Sequence, residues 1–387
     1  MRILIIHNRY QDPGGEDLVV QQESNLLAQS NTVKTYIVRN QKGFAGFLQF
    51  LAYPFNRAQC RKLENAIRQF NPDIVHVHNL HYALGPLFIR FLHKRQIPVV
   101  VTLHNYRLVC PSATLFHQNS LFTSSIQATF PWKAIWAGVH QGSILKTFWI
   151  ALTYYLHRRQ GTWQKVNRYL VLTPFSKEIF KHSTLNISEE KLIVKPNFIT
   201  EVEKNQTTSQ RENFFLFVGR LSQEKGIKTL INAFEKNGET LYIAGDGPLK
   251  AYVTQKCASN TNLHFLGRLK NEEVRTQMQA CNALIFPSEW YEGMPMTIIE
   301  AFATGTAVIA SNLGAMAAMV GDEKEGILFE AGNADDLGNC VDKWNKMDEN
   351  SKTKIREQAR NSYQQHYTAE ANKQLLLDIY NSLNTKL

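Results

Sequence analysis

Two carboxylates eight positions apart, Glu292 and Glu300, bracket a loop-to-helix junction in Pro287-Ser288-Glu289-Trp290-Tyr291-Glu292-Gly293-Met294-Pro295-Met296-Thr297-Ile298-Ile299-Glu300-Ala301. An apolar run gives way there to a Gly/Pro loop and then to a helical pattern, so Glu292 precedes the helix and Glu300 lies inside it. A helix start presents backbone N–H groups without intrahelical partners, from Gly293 onward, and these suit a phosphate or sugar hydroxyls. The two acids cannot bind phosphates themselves, but they can accept hydrogen bonds from the hydroxyls of a ribose or hexose. A helix-start acid and a surface acid without any ligand would show the same spacing.

A second cluster, Phe217-Val218-Gly219-Arg220-Leu221-Ser222-Gln223-Glu224-Lys225-Gly226-Ile227, also follows an apolar run directly. Arg220 and Lys225 would project from the carboxyl end of a strand, where a guanidinium and an ammonium can neutralise a diphosphate and stabilise the charge that grows as it leaves. A solvated basic loop is the competing reading. Ala244-Gly245-Asp246-Gly247-Pro248 reads as a tight structural turn. His76 and His78 alternate onto one face of a strand, with His81 nearby, but no carboxylate or thiol completes a ligand set at metal spacing.

The elements that must position these groups recur in two series. Val/Ile/Leu-rich runs at Arg2–His7, Lys34–Val38, Asp73–His78, Pro98–His104 and Arg168–Thr173 are followed by runs at Phe214–Gly219, Thr240–Gly245, Leu263–Gly267, Ala283–Ser288, Thr306–Ser311 and Gly326–Glu330. Their spacing is too long for hairpins, and helical patterns such as Glu16–Gln29 and Arg57–Phe70 lie between them, so buried parallel strands in βαβ units are expected. Thr200–Arg211 has almost no apolar content and reads as a linker between two such domains. Two parallel α/β sheets facing a cleft would direct the carboxyl ends of their strands toward a shared site.

A chain of 387 residues with 44% hydrophobic and 20% charged residues suits two globular domains. No run approaches the roughly 18 apolar residues of a membrane span. The apolar N-terminus carries no cleavage-site pattern, so a cytoplasmic chain is expected. Five scattered cysteines without a C-x-x-C pair point to free thiols. The net charge of +10 divides unevenly, because residues 1–200 hold 23 Lys and Arg against 9 Asp and Glu, a balance of +14 that leaves −4 for the remainder. A basic half attracts phosphates, whether of nucleic acid, lipid headgroups or a diphosphate substrate.

Taken in order, Val218-Gly219-Arg220-Leu221 with Glu224-Lys225-Gly226, Ala244-Gly245-Asp246-Gly247-Pro248, Phe265-Leu266-Gly267 and the Glu292/Glu300 pair resemble the retaining glycosyltransferases of family 4, which have the GT-B fold of two Rossmann-like domains. His7-Asn8-Arg9-Tyr10 through Pro13-Gly14-Gly15-Glu16, Val101-Thr102-Leu103-His104-Asn105-Tyr106 and Val194–Asn197 extend the likeness over nearly the whole chain. The resemblance implies a nucleotide-diphosphate sugar as donor, with Arg220 and Lys225 on the diphosphate and Glu300 on the ribose. Glu292 and the backbone of Gly293, Met294 and Pro295 would bind the donor sugar and phosphate. Base contacts are expected near Gly267-Arg268-Leu269. His104 would sit close to the transferred sugar and Gly14-Gly15 near the phosphate or acceptor. Domains at 1–199 (acceptor side) and 200–366 (donor side), with 367–387 crossing back onto the first, also follow from it. The metal-binding Asp-x-Asp of GT-A enzymes is missing from the sequence, so no metal or other cofactor is expected.

Residues 131–169 interleave Trp132, Trp136, Phe148, Trp149, Tyr154, Tyr155 and Trp163 with Lys133, Lys146, Arg158, Arg159, Lys165 and Arg168. That pattern suits an interfacial helix resting on anionic lipid at the inner face of the plasma membrane, with a glycan or lipid-linked acceptor, or else a helix packed on its own domain. A nucleic-acid binder would use the basic half but leaves Arg220, Lys225, Glu292 and Glu300 unexplained, so no nucleic acid is expected. A nicotinamide enzyme lacks its G-x-G-x-x-G after the first run. A GT-B phosphorylase or epimerase shares the implied fold and stays an alternative.

Overall fold

A computed structural model describes residues 1–11, 14–200 and 211–383. The expected linker therefore lies, for residues 201–210, outside the described residues, as does Pro13 of the glycine motif. The chain divides into two compact units. One comprises Met1–His117, Phe122–Asn197 and the residues from Asn372 onward, and the other comprises Gln118–Leu121 and Phe198–Ala371.

The main sheet of the first unit has the strands β1 (Arg2–Arg9), β2 (Thr32–Arg39), β3 (Ile74–Asn79), β4 (Val99–Leu103), β5 (Arg168–Val171) and β6 (Leu192–Val194). They form one parallel sheet in the order β2-β1-β3-β4-β5-β6. Every residue of β3 and β4 is buried, as continuous apolar runs covered on both faces require. Five strands were expected and six are present: β6 is three residues long and only Leu192 of it is buried, too little apolar signal to stand out. Helix α1 (Gly15–Ala28) packs Val20 and Leu27 on Ile3 and Ile5. The C-terminal helix Ala369–Asn381 adds Leu376, Ile379 and Tyr380 to the same core.

Helix α2 (Gly43–Ala52) was not anticipated and buries none of its residues. The interfacial helix expected over residues 131–169 is broken instead. A short helix Trp132–Trp136 ends at positive-φ Gly138, Gln141 and Gly142, and a new helix Ile144–Arg159 starts from its N-cap Ser143. The aromatics divide accordingly: Trp163 and Tyr154 are core, whereas Trp132 and Trp136 are exposed, as is the aliphatic Leu145. No helix among the described residues is long and apolar enough to cross a membrane.

The second unit repeats the plan with β7 (Phe215–Val218), β8 (Leu241–Ala244), β9 (Leu263–Gly267), β10 (Ala283–Phe286), β11 (Val308–Ser311) and β12 (Gly326–Phe329), parallel in the order β9-β8-β7-β10-β11-β12. Period-two alternation builds two cores from one sheet: Phe215, Phe217, Ile285 and Ile309 enter one cluster, and Phe214, Leu216, Leu284 and Val308 the other. Both units thus have the doubly wound form that the resemblance implied.

Candidate active site

In the second sheet β7 and β10 are neighbours, and their connections depart toward opposite edges. Such a switch point opens a crevice at the carboxyl ends of the strands. A cavity of about 130 Å³ lies there, lined among others by Gly219, Lys225, Ser288, Glu292, Pro295 and Thr297. Gly226 joins its two loops. At φ +70° an added Cβ would stand 1.8 Å from the Pro287 carbonyl oxygen, so only glycine admits the approach. The Glu289 N–H donates to the Glu224 carbonyl at 2.9 Å, and Thr229 Oγ1 donates to Glu289 Oε1 at 2.6 Å. Gly245 and Gly247 likewise allow backbone contact with Gly219 and Leu221, the structural part read from the sequence.

Lys225 and Glu292, which the sequence reading gave separate tasks, meet directly. Lys225 Nζ donates to Glu292 Oε1 at 2.5 Å, and Ser288 Oγ donates to the same oxygen at 2.5 Å. Glu292 is 7% exposed. The ammonium lies 5.6 Å from the ring centroids of both Phe286 and Trp290, so its stem is boxed and its charge aimed. The helix Met296–Ala303 starts on this cavity with Pro295 as N-cap and no side-chain capping bond, leaving its dipole end available to an anion. Pro295 itself has no N–H, so its share of the expected backbone binding can only be shape; Gly293 and Met294 retain donors.

Glu300 is half-buried one turn into that helix. Burial pushes its carboxyl up, against the pull of Arg275, and no described residue donates to it. Arg220 stands exposed beyond β7 and does not line the cavity. Gly267 ends edge strand β9, with Arg268 and Leu269 after it, and all three lie outside the cavity lining, although the Gly267 carbonyl accepts from the Gly245 N–H at 2.8 Å and so ties the end of β9 to the turn after β8.

In the first unit His104 follows β4 and is supported from behind. Its Nε2 lies 3.0 Å from His78 Nδ1, and His78 Nε2 lies 3.4 Å from Glu23 Oε2. Glu23 Oε1 accepts from Lys195 Nζ. The carboxylate favours the Nε2–H tautomer of His78, whose Nδ1 then accepts from His104 Nε2–H. Burial pushes His104 down to about 3, so it is a neutral imidazole at physiological pH. His76 is held between Thr102 Oγ1 and Tyr380 Oη, each at 2.7 Å.

The reason for setting a metal aside at His76 and His78 needs correction, because α1 brings Glu23 beside them with potential ligand atoms within 4.8 Å of one another. The Lys195 ammonium already occupies that carboxylate, and both nitrogens of His76 are engaged, which makes the cluster a hydrogen-bonded support for His104. A trace of Glu23 exists in the sequence: it is the lone acid on the apolar stripe Val19, Val20, Leu26, Leu27 of α1.

Gly14 and Gly15 open α1. A Cβ on either would meet nothing within 4 Å, so packing within the protein does not demand glycine there and the backbone is left accessible. The Gly14 N–H donates to Asp17 Oδ2 at 2.8 Å, and Asp17 Oδ1 pairs with His7 Nε2 at 2.9 Å. Glu16, missed from the sequence as a site group, accepts from Asn79 Nδ2 at 2.8 Å; burial, then neighbouring Asp17, raise its carboxyl to about 7.

Two family models match consecutive parts of the chain, one described as Glycosyltransferase Family 4 over residues 19–201 and one as Glycosyl transferases group 1 over residues 198–362. Together the two models span residues 19–362, and the chain belongs to glycosyltransferase family 4. Among the curated members it resembles the O-antigen chain mannosyltransferase C of Escherichia coli, 28% identical over 53% of this chain and 57% of that protein. It also resembles the putative teichuronic acid biosynthesis glycosyltransferase TuaC of Bacillus subtilis, 30% identical over 37% of this chain and 36% of that protein. The chain thus spans about half or less of the length of these relatives. Among solved structures it shares the fold of a glycosyltransferase from Rickettsia africae, with a TM-score of 0.71, 14% identity and full coverage of both chains. It shares it equally with Anabaena HepE in complex with UDP, with a TM-score of 0.70 and 17% identity over 99% of this family 4 chain and 100% of HepE.

Proposed function

We propose that this chain is a retaining, metal-independent glycosyltransferase that moves a hexose from a nucleotide-diphosphate sugar to a glycan or lipid-linked acceptor during cell-envelope polysaccharide synthesis. The observation that carries the reading is the Lys225–Glu292 pair beside an uncapped helix N-terminus at the switch point of the second sheet. It offers a cation and a dipole to a diphosphate and a carboxylate to sugar hydroxyls in one cavity. The sugar–phosphate bond would break with oxocarbenium character, Lys225 would stabilise the leaving diphosphate, and a departing phosphate oxygen would take the acceptor proton as the hydroxyl attacks on the same face. Arg220, free of described side-chain partners, can swing onto the diphosphate, and Glu300 would accept from the ribose. The names of the polysaccharide relatives and the UDP complex of HepE support this donor and acceptor class. Exposed Trp132, Trp136 and Leu145, beside Lys133 and Lys146, favour peripheral work at the inner face of the plasma membrane.

The test is a thermal-shift panel of UDP, GDP, ADP, CMP and their sugar conjugates, with and without Mg²⁺, since a ligand of the folded state raises its apparent stability. A metal-independent shift with one nucleotide diphosphate is expected. A shift that required Mg²⁺ would overturn metal independence, and no shift with any of them would overturn the donor assignment.

A further inference from the structure

Two fully buried charges in the first unit have no part in the donor chemistry above. Glu23 of α1 and Lys195, which follows β6, are both 0% exposed, and Lys195 Nζ donates to Glu23 Oε1 across 172 positions of sequence. A buried ion pair gains little stability over apolar side chains of the same volume, because desolvation offsets the attraction. What this pair does supply is direction. With Oε1 held by the ammonium, Oε2 is the oxygen turned to His78 Nε2, 3.4 Å away, and neither of these two buried atoms has another partner among the described residues.

One proton arrangement satisfies the whole line. An unprotonated His78 Nε2 would set its lone pair against the carboxylate, so the proton sits on Nε2 and leaves Nδ1 as an acceptor. His104 Nε2, 3.0 Å from that Nδ1, is then the N–H donor. The rings are held for this. His76, fixed by Thr102 and Tyr380, lies with its centroid 4.2 Å from that of His78, and the planes of His78 and His104 are 20° apart.

That leaves Nδ1 of His104. It has no hydrogen-bond partner among the described residues, and the half-buried ring lies beside Asn105 in a small crevice at the carboxyl ends of β3 and β4. A neutral imidazole protonated at Nε2 offers a lone pair at Nδ1. A lone pair accepts from a hydroxyl but repels an ionised phosphate oxygen, which has no proton to give.

We propose that Glu23 and His78 are positioning residues that present His104 Nδ1 as a hydrogen-bond acceptor, so that this point of the site selects a hydroxyl of the transferred hexose and refuses a phosphate. Contact with a hexose rests on the transferase reading; the proton arrangement does not.

The experiment is ¹⁵N spectroscopy of the full chain labelled in its histidine rings, with His78→Gln and His104→Gln to assign the signals. The wild type is expected to show His104 protonated at Nε2 and bare at Nδ1, with a scalar coupling from His104 Nε2 to His78 Nδ1. In Glu23→Gln the Lys195 ammonium keeps the amide oxygen and the amide N–H turns to His78 Nε2, so each donor along the line reverses and the proton moves to His104 Nδ1. A wild-type His104 protonated at Nδ1, an absent coupling, or an unchanged tautomer in folded Glu23→Gln would each overturn the proposal, and the wild-type spectrum decides even where the variant does not fold. UDP-glucose, UDP-N-acetylglucosamine, GDP-mannose and ADP-glucose are then added, with UDP, GDP and ADP as controls. A conjugate that binds should shift the His104 Nδ1 resonance to lower frequency while its nucleotide alone leaves it in place. Binding of a conjugate without that shift would overturn the sugar contact. No binding by any of them would sink the transferase reading and leave the proton arrangement standing.

Discussion

Lys225→Ala tests the donor cavity most directly. The ammonium sits 2.5 Å from Glu292 Oε1 with its side chain 21% exposed, and the Ser288 hydroxyl stays on the same oxygen after truncation. Losing one charge-assisted bond to a carboxylate that keeps a second donor should cost about 2 kcal/mol of stability. For a unit of this size that is a fall in Tm of roughly 4–8 °C. The catalytic loss should be larger. Removing a preorganised group from the developing charge of a leaving diphosphate costs about 3–4 kcal/mol, a fall in kcat/KM on the order of 10²–10³. Lys225→Arg should recover part of it, because the wider guanidinium keeps the charge but cannot occupy the slot between Phe286, Trp290 and Glu292. The assay is donor hydrolysis or transfer, read well below the Tm of each variant. A Lys225→Ala protein whose kcat/KM stays within about threefold of wild type would refute the argument.

Gly226→Ala should destabilise by roughly 2–5 kcal/mol, since its Cβ would collide with the Pro287 carbonyl at positive φ, whereas Gly14→Ala should stay within about 0.5 kcal/mol while impairing turnover; equal thermal shifts for the two would contradict the assignment. Glu23→Ala should cost about 3–5 kcal/mol in urea unfolding by leaving Lys195 buried and unpaired, and adding Lys195→Met should recover most of it; a cost under about 1 kcal/mol would rule that out. Burial, aided for His140 by Arg107 and Lys146, holds His104 and His140 at about 3, against 6.5 in the unfolded chain. The unfolded state therefore binds more protons between those values, and stability should fall as pH drops from about 6.5, by up to about 1.4 kcal/mol per unit per histidine. Glu16, raised to about 7, acts in the opposite sense, its contribution being lost as pH rises through 7. His104→Gln should flatten the decline between pH 7.5 and 5.0, and an unchanged decline would exclude His104 as a source.

Much of the fold was legible because it is written locally. Central parallel strands buried on both faces must be apolar throughout, so eleven of the twelve strands of the two parallel sheets stand out as apolar runs, edge strand β2 by its Val/Ile content although none of its residues is buried, and β6 escapes because three residues carry too little pattern. The proposed donor cavity was legible for a similar reason: Gly226, Lys225, Glu292 and the helix after Pro295 lie in two short stretches that directly follow β7 and β10. Helix α2 escaped because its run Gly43–Ala52 is as apolar as a core helix, and apolarity alone does not say which side is covered.

By itself the sequence determined two doubly wound domains, the loop chemistry of the proposed donor cavity and the strand that carries His104, since each depends on residues within a few positions of one another. Only the tertiary structure decided which distant groups meet. Glu23 reaches Lys195 across 172 positions, Lys225 reaches Glu292 across 67, and Tyr82, Arg107 and His140 converge from three separate connections. Strand order and helix docking are settled by the burial of the whole apolar surface at once, which no local stretch encodes, so those charge pairs become visible only after the chain has folded.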